Sequence, residues 1–202
     1  MSADIDGVPY SESDHCKEVY AYFGLAYYDS GVIESCIVNV LLYGEFITGW
    51  KARIEREGKA SFDRKVYETE FDAYIQNQFA QTMGTLIARL DKVIGIPAEL
   101  KEVIVEGNRM RNFLAHHYFR ERAKDFVTRE GRDRMISELY AISAKFTEMD
   151  RRIQTLLEPV KKKLGIPEET LKRFMDDFTR KAYAGEPVDM FTGRPHPGPG
   201  RK

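Results

Sequence analysis

One segment concentrates groups suited to chemistry: Arg109-Met110-Arg111-Asn112-Phe113-Leu114-Ala115-His116-His117-Tyr118-Phe119-Arg120. Two of the chain's four histidines stand here among three arginines, an asparagine and a tyrosine. Histidine titrates near neutrality and moves protons. Arginine keeps its charge and offers a planar fork that suits phosphate. Phosphodiester chemistry without a metal needs those groups. No phosphate-cradling glycine loop, Gly-x-Ser-x-Gly elbow or His-Glu-x-x-His pair occurs. Neither a cofactor nor a metal is expected.

Helix geometry separates the candidates. At about 100° per residue, Arg109, Asn112, His116 and Arg120 share one polar face. His117 continues the apolar stripe of Met110 and Leu114, so it reads as a hydrogen-bonded core histidine. His116 is the better proton-transfer group. Arg111 lies about 140° around the helix from His116. Either the helix is irregular here, or the two act across an interface between chains.

The elements that must position these residues are helices almost throughout. Ile33, Ile37, Val40, Leu41, Gly44 and Ile47 step by three, four and seven along one helix face. Tyr67, Phe71, Tyr74, Gln78, Met83, Leu86, Leu90 and Val93 trace a second helix. Leu100, Val103, Ile104, Gly107, Met110, Leu114 and His117 trace a third. An earlier helix is expected over residues 11–29, capped by Ser11 or Ser13, and a short one over 167–183. Gly95-Ile96-Pro97 and Gly165-Ile166-Pro167 are tight helix corners: glycine ends one helix and proline opens the next. A looser connection falls at 58–62. Met135, Leu139, Ile142, Phe146, Met149, Ile153, Leu156 and Val160 form a heptad seam, which Pro159 should break near Leu156. No alternating strand run appears. The expected fold is all-α, an antiparallel helical bundle over residues 1–184 that includes a C-terminal helical extension. A flexible Pro/Gly-rich tail follows over 185–202.

Composition narrows the class. Of 202 residues, 43% are hydrophobic and 31% charged, with net charge -1; this excludes a mostly disordered chain. The uncharged run over 35–44 is far short of the roughly 20 residues of a membrane span, so no membrane partner is expected. The first residues lack a signal-peptide pattern, which points to the cytoplasm. Cys16 and Cys36 should be reduced and packed. Acidic residues gather over 1–30 and basic ones over 151–163.

Arg111-Asn112-x3-His116-x-Tyr118 resembles the Arg-x4-6-His signature of HEPN domains. The resemblance covers the helical body, over about residues 11–157, and its specific part is the nine-residue motif. It implies a small α-helical bundle that dimerises, so that two copies of the motif form one cleft. It also implies a metal-independent endoribonuclease of a toxin or anti-phage defence system. His116 would be the general acid or base, Arg111 would stabilise phosphate charge, and Asn112 would orient the phosphate or the histidine. Tyr118 would position the site, and in some HEPN toxins this tyrosine accepts a neutralising nucleotidyl group. Arg109 and Arg120 would hold substrate phosphates; His117, at a spacing the signature also allows, would either join them or act in place of His116. The implied partners are RNA, a second copy of the chain and an antitoxin such as a nucleotidyltransferase. The alternatives are a non-catalytic HEPN-like module that binds nucleic acid or a nucleotide, and a helical protein-interaction module.

Overall fold

The computed structural model describes residues 11–166 and 168–185. Every regular element among them is helical, so the fold is all-α. The chain divides into two compact units, Met1–Leu157 and Glu158–Lys202.

In the first unit, α1 (Glu12–Leu41) runs into a π-helical turn (Leu42–Ile47) and then α2 (Thr48–Glu57). The two N-terminal helices expected from the sequence are therefore one. Ser11 opens it by accepting a bond from the Asp14 amide at 3.2 Å. At Gly44 the chain runs close to α4: a Cβ there would stand 3.1 Å from Val93 Cγ1. Gly58, at φ +85°, ends α2.

α3 (Arg64–Phe79) and α4 (Met83–Ile94) follow. The apolar stripe from Tyr67 to Val93 had suggested one helix. Thr82 interrupts it, because its side chain accepts the Thr85 amide and starts a new helix. Gly95, at φ +67°, and Pro97 make the expected corner into α5 (Ala98–His116). Gly165 likewise has positive φ, while Pro167 lies outside the described residues.

The chain then turns through α6 (Tyr118–Glu121) and α7 (Ala123–Phe126) into α8 (Arg129–Gln154). Helices α1, α4, α5 and α8 share one core. It includes Val19, Ile37 and Leu41 of α1, Leu86 and Leu90 of α4, Ile104 and Leu114 of α5, and Leu139, Phe146 and Ile153 of α8. The heptad seam of α8 is thus buried within its own chain. α8 stops at Gln154, two residues before α9 (Leu157–Leu164), as Pro159 required. Pro159 sits in the first turn of α9, where its missing N–H costs nothing. After the break Leu157, not Leu156, is the buried residue.

The helical stretch Glu12–Glu57 contains an 18-residue window of mean hydropathy 1.4, of which 33% is buried. By length and composition it is apolar enough to cross a membrane, so the short uncharged run does not exclude a span. Ile33, Ile37, Val40 and Leu41 of this stretch are nonetheless buried in the chain's own core.

In the second unit, α10 (Glu168–Tyr183) carries helical-spacing ion pairs, among them Lys181–Asp177 at 2.6 Å and Arg173–Glu169 at 3.8 Å. Most of the expected tail, 186–202, lies outside the described residues.

Candidate functional site

The motif spans the end of α5. Leu114 and Ile104 bury the inner face of this helix, which leaves Arg111 and Asn112 on its flank. The helix stops at His116, and His117 takes φ -129° and ψ -27°. His117 therefore does not continue the core stripe. It is exposed, not a core histidine, because the backbone turns before its side chain would reach the core.

Arg120 Nη2 lies 2.7 Å from His117 Nδ1. Arginine only donates, so Nδ1 is the acceptor and a neutral His117 carries its proton on Nε2. Its basic nitrogen is occupied. His116 is also exposed, and among the described residues its side chain makes no hydrogen bond; its ring meets only His117, at 6.2 Å between centroids. Arg120 lies past the break, so it does not extend the face of Asn112 and His116. Arg109 is exposed and paired with Glu106 one turn back, at 3.2 Å.

Tyr118 is 1% exposed, and its hydroxyl donates to the Met135 carbonyl at 3.2 Å. Burial, then the nearby Glu138 carboxylate, holds the phenol above its usual range. Arg122 grips Glu138 with two bonds of 2.8 and 2.6 Å, and its guanidinium sits 5.5 Å from the Phe113 ring centroid. Tyr118 and Arg122 thus pin the corner after the motif to α8. In this conformation Tyr118 faces the core and is not presented for modification. Tyr118→Phe should lower stability by about 0.5–1.5 kcal/mol through the lost hydrogen bond, read as a lower thermal midpoint. An unchanged midpoint would show that the hydroxyl contributes nothing.

Arg111 and Asn112 line an open cleft of about 510 Å³ together with Glu34, Asn108, Gln81 and Thr82. Arg111 Nη2 stands 3.8 Å from Glu34 Oε2, with the two side chains 33% and 20% exposed. That is ion pairing without a hydrogen bond. The far wall is braced by a polar network. Glu45, in the π-helical turn, accepts Arg89 Nη2 at 2.6 Å and the Tyr74 hydroxyl at 2.9 Å. Gln78 Oε1 accepts Arg89 Nη1 and Gln81 Nε2, each at 3.2 Å. His116 does not line the cleft. The structure therefore brings Arg111 and Asn112 together and leaves His116, His117 and Arg120 around the end of the helix.

The sequence reading missed Glu34, Asn108 and Gln81. Glu34 had a signal, since it is the sole charge in the stretch 30–44. Asn108 and Gln81 had none, because nothing local sets them apart from surface amides. Among the described residues no three His, Cys, Asp or Glu side chains converge as a metal site. Neither Cys16 nor Cys36 is in a disulfide; burial, then Asp150, raises the Cys36 thiol above its usual range.

No family model matches this chain, and no curated protein or solved structure matches it either.

Proposed function

We propose that the chain is a metal-independent endoribonuclease of HEPN type that works as a homodimer in a toxin or anti-phage defence setting. The observation that supports this best is the arrangement at the end of α5. Arg111 and Asn112 lie in a cleft, and His116 closes the helix with its ring exposed and, among the described residues, making no hydrogen bond. His116 takes the proton of the RNA 2′-hydroxyl as that oxygen attacks phosphorus. The bond from phosphorus to the 5′-oxygen breaks, and the 5′-oxygen takes a proton from solvent water. Arg111 stabilises the charge on the phosphate oxygens, and Asn112 orients the phosphate. Products carry a 2′,3′-cyclic phosphate and a 5′-hydroxyl. Because Arg111 and His116 occupy different sides of the helix end, the working site combines Arg111 of one copy with His116 of the other. Arg109, His117 and Arg120 hold flanking phosphates. Tyr118 acts through the fold, so a nucleotidyltransferase antitoxin would reach it only after local opening. We place this work in the cytoplasm because an RNA substrate is met there.

The test is cleavage of a structured RNA by the full chain in EDTA, with the product ends identified. Cyclic-phosphate ends are expected. A well-folded dimer that leaves RNA intact would overturn the reading. It would then favour a non-catalytic module that binds nucleotides, which the separation of His116 from the cleft within one copy also fits.

A further inference from the structure

We infer that the cleft beside Arg111 is a guanine-recognition subsite, with Glu34 reading the base; this deepens the nuclease reading and rests on it. The key group is the Glu34 carboxylate. It is four-fifths buried, yet among the described residues it accepts no hydrogen bond, and its one charged neighbour, Arg111, stands at 3.8 Å. An ionised carboxylate has about four acceptor positions. Its oxygens still reach the solvent of the cleft, where a ligand that supplies donors can replace water.

The bases differ in what they offer. Guanine presents two donors side by side, N1–H and N2–H, next to the O6 acceptor. Adenine and cytosine present one donor beside an acceptor. Uracil has one donor between two carbonyls, which a carboxylate repels. Guanine alone matches both oxygens of Glu34 at once, and recognition through that edge is how single-stranded or extruded bases are read.

The rest of the cleft supplies the other half of the match. Asn108 lines it, and among the described residues its amide is not hydrogen-bonded to any protein group, so it is free to donate to O6. The amide nitrogen of Gln81 is already committed to the Asn77 carbonyl and Gln78, so Asn108 is the better donor. Asn108 and Arg111 are neighbours at helical spacing on α5, which puts base recognition one turn from phosphate binding. The volume of about 510 Å³ lies within the range of roughly 300–1,000 Å³ for small-molecule sites. The enzyme would therefore cut beside guanine in unpaired RNA.

The test is titration of the full chain with GMP, IMP and AMP. Inosine keeps N1–H and O6 but lacks the N2 amino group. The expected order is GMP over IMP over AMP, with GMP about 10- to 100-fold tighter than AMP, the discrimination of a good bidentate contact. Glu34→Gln should abolish that preference and leave only weak binding common to all three. Asn108→Ala, a substitution at the cleft wall, should weaken GMP and IMP together. Equal affinity for GMP and AMP would overturn the inference, as would a preference untouched by Glu34→Gln in a protein of unchanged thermal midpoint. The two readings fail separately. Guanine-selective binding without RNA cleavage supports this subsite and sinks the nuclease; cleavage with no preference for guanine sinks this subsite alone.

Discussion

On the proposed mechanism, His116→Ala should lower metal-free RNA cleavage by about 10²- to 10⁴-fold, the usual contribution of a positioned acid or base, and leave the unfolding midpoint in place. The fold is indifferent because the side chain is exposed and makes no hydrogen bond among the described residues. Surface truncations of that kind change stability by less than about 0.5 kcal/mol. His117→Ala has a smaller effect, since the Nδ1 of His117 is already taken by Arg120. If His117→Ala abolished cleavage and His116→Ala did not, the two roles would be exchanged. A mixing experiment tests the two-chain site. Arg111→Ala and His116→Ala are each inactive, but a two-fold dimer formed from both keeps one intact site. Random mixing then restores about a quarter of wild-type activity. No recovery, with subunit exchange demonstrated, would mean that both groups act within one copy.

Gly131→Ala destabilises the chain by about 3 kcal/mol or more, above the usual range for overpacking. The midpoint of urea unfolding reads the effect. Gly131 sits in the first turn of α8, where its amide bonds Thr128 Oγ1 at 3.1 Å. A Cβ there would lie 2.0 Å from the Asp125 carbonyl oxygen and 2.5 Å from Asp125 Cα. These are backbone atoms, and the Thr128 amide holds the same carbonyl at 3.2 Å. The clash cannot be relieved by turning a side chain, so the corner from α7 to α8 must open. Tyr118 and Arg122 are anchored to α8 just beyond this corner, so the proposed cleavage should fall as well. Gly24 and Gly31 are the controls: a Cβ at either meets nothing within 4 Å. Alanine at each should stabilise α1 by about 0.5–1 kcal/mol, because it restricts the unfolded chain. A loss below about 0.5 kcal/mol for Gly131→Ala would contradict the packing at this corner.

The parts of this protein legible in the sequence are those set by local physics. The apolar steps of α8 named its buried face, Gly95 and Pro97 marked a corner, and Pro159 placed the break near Leu156. In each case periodicity or a backbone restriction acts within a few residues. Two helix boundaries were not legible. Thr82 splits a stripe that continues through it, because a threonine cap is informative only once the chain turns there. α1 runs unbroken past Ser30 and Gly31, because burial of Ile33 and Ile37 outweighs the weak helix propensity of those two residues.

At the site the division is sharper. The sequence by itself put Asn112 and His116 on one polar helix face, and the resemblance to HEPN domains added Arg111. Only the tertiary structure placed Glu34 opposite Arg111 and drew Asn108 and Gln81 to the same cleft. It also buried Tyr118 and bonded Arg120 to His117. These contacts join residues by where α1, α3, α4, α5 and α8 cross. Helix crossings are set by core packing across the whole unit, which no local pattern around the motif encodes.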